Sequence, residues 1–444
     1  MLPQIDDQAA PSGLVAPAVA PPPSGVYVHF PWCLKKCPYC DFVSFAADRA
    51  TIDHRGYADA VLAEMDQRRV TLEGRRIATI FVGGGTPSLW EPAELGRVLD
   101  RIRQVCAVER DAEVTVECNP TSLDEARARA LKAVGVNRLS IGVQGLSRSR
   151  LEFLGRLHDE TGGLIAVRQA LSSGIDRVSA DLIFGVAGGA AESAAEAADE
   201  VGRVADTGVT HVSAYALTIE PSTVFGELAR KGTLPILPDD AVAEAFNAVR
   251  DALESRGFVH YEVSNYARPG HEARHNLGYW RGHDYVGLGC AAYGTISVDG
   301  GGDAAGRESD SGRGGGAGRG ARRYRNKTDP AKYMAAAIDG SKEPRRGPNR
   351  RNVNAGVRAT TEGSSEDLDA ETRLRERIML GLRIAEGLDL EAAAAELGVT
   401  GWTKERRRAA DRLAKQGRIV IDGGRVTVPR EARLFTDGIA VELF

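Results

Sequence analysis

Cys33, Cys37 and Cys40 stand on one short stretch with the spacing C-x3-C-x2-C and make up half of the six cysteines in the chain. They follow Val26-Tyr27-Val28-His29-Phe30, a strand-like run that Pro31 ends. The cysteines therefore belong to a loop at the carboxyl end of a strand. Three thiolates on a short loop suit a cubane iron–sulfur cluster, which cysteine sulfur holds. Three protein ligands on a four-iron cluster leave one iron open to a small molecule, as in catalytic rather than closed metal sites. Two other readings stand beside this one. A zinc site needs a fourth ligand, which His29 can supply. A disulfide is conceivable, but three cysteines do not pair evenly and the chain begins with no export signal.

Composition narrows the class. The 444 residues are 43% hydrophobic, enough for a large core and for about two or three domains. A net charge of −4 and a pI near 6.1 imply neither nucleic acid nor an anionic membrane surface as a bulk partner. No apolar run reaches the ~18 residues of a membrane span. Residues 1–24 are rich in Pro and Ala and lack a basic start and an apolar core. They read as a disordered leader, not a secretory signal. A cytoplasmic location follows, where thiols stay reduced and a cluster persists.

Six strand-like runs, at 26–31, 77–83, 112–118, 138–144, 177–184 and 210–219, alternate with stretches of helical apolar spacing such as Tyr57, Val61, Leu62 and Met65. That alternation predicts right-handed parallel crossovers and an incomplete version of the eight-unit barrel. Strand residues alternate in direction. Ser140, Gly142 and Gln144 therefore share a face, as do Ser179 and Asp181, Thr115 and Glu117, and Ser213 and Tyr215. A closed barrel normally fills its interior with Val, Ile and Leu. Here the inner face turns polar toward the carboxyl ends, so solvent or a ligand is expected inside.

The cysteine spacing is that of the radical S-adenosylmethionine (SAM) enzymes. Tyr27-Val-His29-Phe-Pro31 before the triplet and Tyr39-Cys40-Asp41-Phe42 after it resemble the oxygen-independent coproporphyrinogen III oxidase family. The resemblance implies an α/β fold with an incomplete parallel (β/α)6 TIM-like barrel. It also implies a [4Fe-4S] cluster on Cys33, Cys37 and Cys40, with SAM on its open iron. Gly83-Gly84-Gly85-Thr86-Pro87 lets a ligand reach the backbone; it looks like the family element that holds the methionine amino group. Taken in order, the resemblance makes Tyr27, Tyr39, Gly84, Gly85, Thr86, Glu117, Gln144, Arg156 and Asp181 SAM contacts. The bland alternatives are a tight strand–helix turn for the glycines and structural hydrogen bonds for each polar residue. Cys106, Cys118 and Cys290 are isolated and read as buried structural thiols.

Beyond the barrel (25–220), residues 221–298 form an extension that looks helical to about Tyr266. It then carries His275-Asn276-Leu-Gly-Tyr279-Trp280. This H-N-x-x-Y-W pattern resembles the haem-chaperone branch of the same family and implies haem as a ligand, with His275 as a candidate for its iron. A structural His beside a packed Trp is the alternative, and His29, His271 and His283 are weaker candidates. Residues 299–323, mostly Gly, Arg, Ser and Asp, read as a flexible insertion, and 324–366 as a connecting segment and linker. Residues 367–444 read as helices followed by a hairpin at Asp422-Gly423-Gly424, a small winged-helix-like domain.

The oxidases carry a fourth cysteine two residues beyond the triplet and a long segment before the first strand. Here Phe42 stands in the cysteine's place, and a short Pro/Ala stretch precedes the strand. Both departures point to a haem chaperone rather than to oxidative decarboxylation of coproporphyrinogen III, the alternative. For such a chaperone the resemblance implies a haem-acceptor protein, a membrane respiratory enzyme being one type, which would bring the chain to the membrane surface. It also implies a reductant such as flavodoxin or ferredoxin.

Overall fold

The computed structural model describes residues 22–188, 191–298, 319–342 and 359–444. Most of the expected leader (1–21), most of the expected insertion (299–318), and 343–358 of the expected connecting segment lie outside the described residues.

Each of the six expected runs is a strand: β1 (Ser24–Phe30), β2 (Arg76–Gly84), β3 (Ala107–Cys118), β4 (Arg138–Gln144), β5 (Arg177–Phe184) and β6 (His211–Ala216). They pair in sequence order, all parallel. That is the curled, sequential sheet of an incomplete barrel, because each crossover helix packs back on the same side. The helices His54–Gln67, Pro92–Val105, Glu125–Ala133, Gly162–Ser172 and Ala194–Ala205 make the outer layer. Short polar residues start several of them. Asp53 accepts from the Gly56 amide, Asp124 from the Arg127 amide, and Ser193 with Glu196 forms a reciprocal cap. Between sheet and helices lies one core, in which Val28, Val82, Val116, Ile141 and Ala180 meet Tyr57, Val61, Leu95 and Leu99. Along β4, Leu139, Ile141 and Val143 are buried while Ser140, Gly142 and Gln144 are half-buried, so the polar stripe faces the lumen.

Six more strands widen the sheet: β7 (Val259–Glu262), β8 (Asn265–Ala267), β9 (Tyr285–Leu288), β10 (Tyr293–Ser297), β11 (Ala321–Asn326) and β12 (Glu362–Leu368). The full order is β12-β11-β10-β9-β1-β2-β3-β4-β5-β6-β8-β7. β9 runs parallel to β1; the remaining additions are antiparallel. This corrects the expectation of helix to about residue 266. The helix Asp239–Glu254 ends, Gly257 turns the chain at φ +82°, and β7 and β8 follow. The physical reason is a change of period: after Leu253 the apolar spacing passes from helical to the two-residue alternation of Val259 and Tyr261 with His260 and Glu262. Within 324–366 the chain carries the second half of β11, the helix Pro330–Lys342 and most of β12. β12 has little apolar content because it is an edge strand with its middle exposed on both faces.

The last domain has its own core of Leu374, Ile378, Leu390, Leu397, Leu413, Val426 and Ile439. Its helices Ala370–Gly381, Leu390–Leu397 and Lys404–Lys415 precede a hairpin of Val420–Asp422 and Arg425–Thr427. Gly423 (φ +54°) and Gly424 (φ +87°) make that turn, a conformation L side chains resist. Leu388–Asp389 completes a small three-stranded sheet, giving the winged-helix arrangement. The Arg383–Glu262 ion pair (3.0 Å) and the Ala385 amide on the Tyr261 carbonyl (2.8 Å) fasten it to the barrel extension. Among the described residues, no helix is long and apolar enough to cross a membrane.

Candidate functional site

The cysteine loop leaves the carboxyl end of β1 and is tied down by backbone. Trp32–Cys33 pairs in parallel with Phe45–Ala46, so the loop closes on itself. His29 braces it from below: Nε2 meets the Val43 carbonyl at 2.8 Å and Nδ1 meets the Tyr27 hydroxyl at 2.9 Å. Burial holds the His29 ring neutral, with its pKa pushed down to about 4. Both His29 nitrogens thus have partners, which removes it as a fourth zinc ligand and as a haem ligand.

Cys33, Cys37 and Cys40 are unpaired and half-buried, while Cys106, Cys118 and Cys290 are buried. Burial raises the Cys33 thiol, with the Thr86 and Ser44 hydroxyls acting against it and Cys37 adding to it. Burial also pushes Cys40 up to about 11, with Cys33 and Cys37 both contributing. The three sulfurs therefore share one electrostatic neighbourhood. Arg156 stands at its edge, its Nη1 3.6 Å from the Cys37 sulfur. Among the described residues no three His, Cys, Asp or Glu side chains yet converge on a single point. A donor set of three thiols without a fourth protein ligand fits a cluster with one open iron; it does not complete a structural zinc site. Loading would release the thiol protons, since thiolate is the ligand.

The polar lumen lies next to this loop. Gly84 sits at φ +112°, and a Cβ there would come within 2.6 Å of the His29 ring; at Gly85 a Cβ would meet the Trp32 carbonyl oxygen at 2.6 Å. Only glycine lets this turn lie against the loop. The Gly85 amide donates to the Phe30 carbonyl (2.7 Å), Thr86 to the Trp32 carbonyl (2.8 Å) and Gly84 to Glu117 Oε2 (3.0 Å). These amides are already used, so the turn suits a ligand ammonium, which donates, better than a carboxylate. Asp181 accepts from Ser140 Oγ at 3.0 Å, and Arg156 Nη2 donates to the Gly142 carbonyl at 2.7 Å. Gln144 adopts φ +66° where the β4–β5 register slips. Strain of that kind costs about 1–3 kcal/mol and is typical of ligand sites. Tyr27 stacks on Phe81 with 6.3 Å between ring centroids, and Tyr39 packs against Phe225.

Glu117 and Asp181 face the same space. Burial pushes the Glu117 carboxyl up to about 8, Asp181 adding to the shift and the Gly84 amide opposing it; burial raises Asp181 too. The folded-state pKa of Glu117 lies above its ordinary value of 4.5, so the folded protein binds the extra proton between those values. Its contribution to stability is therefore full below about 4.5 and is lost as pH rises through about 8. Urea titrations of the ligand-free protein from pH 5 to 9 should show wild type losing stability relative to Glu117→Gln. Parallel curves would refute the shift.

His275 lies at the opposite, amino-terminal end of the barrel, beside the starts of β1 and β2. Its Nδ1 meets Thr79 Oγ1 at 2.8 Å, its Nε2 meets the Tyr279 hydroxyl at 2.9 Å, and its amide donates to Glu113 at 3.1 Å. The ring stacks 5.1 Å from Phe81, and burial pushes its pKa down to about 3. The structure thus brings Tyr27, Gly84, Glu117, Gln144, Arg156 and Asp181 around one lumen with the cysteine loop above, and leaves His275 apart with both ring nitrogens engaged. Both His275 ring nitrogens are hydrogen-bonded here, to the Thr79 and Tyr279 hydroxyls. Sequence reasoning missed what holds its segment, Thr79, Glu113 and Arg138, each far from His275 in the chain.

The radical SAM superfamily model matches residues 27–201, and the HemN C-terminal domain model matches 368–435. The haem chaperone HemW of Escherichia coli is 39% identical over 277 residues, 62% of this chain and 71% of that protein. HemW of Mycobacterium tuberculosis is 33% identical over 427 residues, 95% of this chain and 96% of its own length. This chain belongs to the HemW family of radical SAM proteins. A zebrafish mitochondrial relative, radical S-adenosyl methionine domain-containing protein 1, is 36% identical over 279 residues, 63% of this chain and 62% of that protein. Among solved structures, the coproporphyrinogen III oxidase of Escherichia coli, a radical SAM enzyme, superposes with a TM-score of 0.71 at 19% identity. It covers 95% of this chain and 90% of that one, and at that identity shows the fold alone. The radical SAM superfamily match implies a [4Fe-4S] cluster and SAM, which the thiol set and the polar lumen fit.

Proposed function

We propose that this chain is a haem chaperone: it binds haem and passes it to an acceptor protein. Cys33, Cys37 and Cys40 hold the cluster, and Tyr27, Tyr39, Gly84, Gly85, Thr86, Glu117, Gln144, Arg156 and Asp181 contact SAM. When bound, the cluster supplies an iron able to chelate the amino and carboxylate groups of SAM. The chain's own part is to hold that ligand. The Glu117 and Asp181 carboxyls offer acceptors, Arg156 sets a positive charge beside Cys37, and the Gly84 turn lets the ligand reach the backbone.

The observation that carries this reading is the relationship with the mycobacterial haem chaperone, which runs through 95% of this chain, including the H-N-x-x-Y-W segment and the last domain. Phe42 supports it. It is 60% exposed at the rim of the loop, where the oxidases carry a fourth cysteine, and it offers no sulfur. A membrane respiratory enzyme as acceptor and a flavodoxin or ferredoxin as reductant fit the reading.

Anaerobic reconstitution followed by haem titration tests it. The expected result is about four irons and four sulfides per chain and a Soret band that saturates with added haem. A complete cluster with no haem uptake would sink the chaperone reading. Conversion of coproporphyrinogen III under reducing, anoxic conditions would then be the activity to assay.

A further inference from the structure

Seven Lys or Arg and two Asp or Glu stand within 404–418, in a chain of net charge −4. Arg406 turns inward: it donates to the Leu443 carbonyl (2.8 Å) and pairs with Glu371 (3.0 Å). The other six cations are exposed. On the helix Lys404–Lys415, Lys404, Arg408, Arg412 and Lys415 recur at helical spacing and so share one face, with Asp411 the acid among them. Ala409, Ala410 and Leu413 bury the opposite face in the domain core. Among the described residues only Arg412 and Arg418 of the six have an acidic partner, and both use Glu442, at 3.6 and 3.9 Å.

Apolar side chains stand exposed beside this charge. Val441 (62% exposed) and Phe435 (55%) lie on or next to the last helix, Thr436–Glu442. Val420 (51%) begins the edge strand Val420–Asp422, which is exposed along its length. Arg418 joins these parts. Its guanidinium lies 6.0 Å from the Phe435 ring centroid and 3.9 Å from Glu442, and Val420 follows two residues on. Large apolar side chains left together in the open mark a contact surface.

Cations with apolar side chains among them suit an anionic bilayer. The headgroup phosphates take the charges while Val and Phe enter the acyl boundary. A winged helix on nucleic acid instead surrounds its groove-reading helix with phosphate contacts. Here the hairpin turns at Asp422-Gly423-Gly424, which puts an acid at the wing tip. Arg425 beyond it is turned back on the Glu386 and Gly387 carbonyls, at 3.2 and 3.4 Å. A second copy in an isologous pair would set two cationic faces against each other, which like charge opposes.

We propose that this face of the last domain docks on an anionic lipid surface. Lys404, Arg408, Arg412 and Lys415 meet the headgroup phosphates, and Val420, Phe435 and Val441 enter the apolar boundary. The proposal goes beyond the haem reading and stands on this face alone. The contact is peripheral, since no described helix is long and apolar enough to cross a membrane, and its charges make it reversible and salt-dependent.

The test is co-sedimentation of the haem-free full chain with vesicles of equal parts phosphatidylglycerol and phosphatidylcholine, against phosphatidylcholine alone. Wild type should bind the anionic vesicles about tenfold more tightly or better, and less so as salt rises. Arg408→Glu combined with Lys415→Glu should cost about tenfold or more. Val441→Ser should weaken binding severalfold with the salt dependence kept. Arg69→Glu combined with Arg203→Glu, an equal reversal at exposed positions on helices of the barrel, should change binding less than about twofold. Circular dichroism checks that each variant is folded. Wild type that ignores lipid charge, or a reversal at 408 and 415 that binds as wild type does, overturns the proposal. So does tighter binding to a DNA duplex than to the vesicles, or self-association that the same reversal abolishes, since either gives the face another occupant. Because no haem is added, the outcome is separate from that of the haem titration.

Discussion

Cys33→Ser, Cys37→Ser and Cys40→Ser should each bring the iron retained after anaerobic reconstitution from about four per chain to below about one. Each sulfur is one of only three protein ligands, so losing any one leaves a cluster with two anchors. The fold should survive, because the loop is held by backbone bonds that involve no sulfur: the Phe45 amide on the Pro31 carbonyl (2.8 Å) and the Ala47 amide on the Cys33 carbonyl (2.9 Å). Cys106→Ser is the control, its thiol being outside the loop and buried in the helical layer. Iron and sulfide assays decide it, with circular dichroism to confirm folding. Full iron content in any of the three variants would remove that residue from the ligand set.

Arg138→Met should be the most damaging substitution far from the loop. Arg138 is 1% exposed at the start of β4. It donates to the His271 carbonyl at 3.0 Å, to Ser179 Oγ at 2.8 Å and to Glu113 at 3.4 Å. Without it Glu113 stays buried with only the half-exposed Arg177, 3.6 Å away, as a counter-charge. Breaking one side of a buried pair costs about 3–5 kcal/mol, far more than the net worth of the pair. Urea denaturation should show a loss of that size, and the double variant with Glu113→Gln should recover part of it. A loss below about 1 kcal/mol would mean that the network contributes little.

What could be read from the chain alone divides along physical lines. The barrel strands were legible because each combines β-branched residues with a two-residue polar alternation, and β4 shows both in seven residues. The cysteine loop was legible because its ligands are local. β12 was not, since Glu-Gly-Ser-Ser-Glu-Asp-Leu has no apolar period and becomes a strand only by pairing with β11. Nor was the engagement of His275: its partners Thr79 and Glu113 lie more than 150 residues upstream, and only the closed fold brings them together. The lumen's occupants could be guessed from alternation, but the use of the Gly84–Thr86 amides by Glu117, Phe30 and Trp32 could not.

The pairing of β9 with β1 has a bearing on biogenesis. β1 emerges first from the ribosome and gains β2 soon after, yet its other flank waits for residues 285–288. Until then a growing chain that already holds all six barrel strands carries an open strand edge just where the cysteine loop begins. Such edges invite pairing with other chains. Metal loading is therefore safest late, once the extension has covered that flank, and a fragment ending near residue 220 is better suited to aggregation than to assembling its cluster.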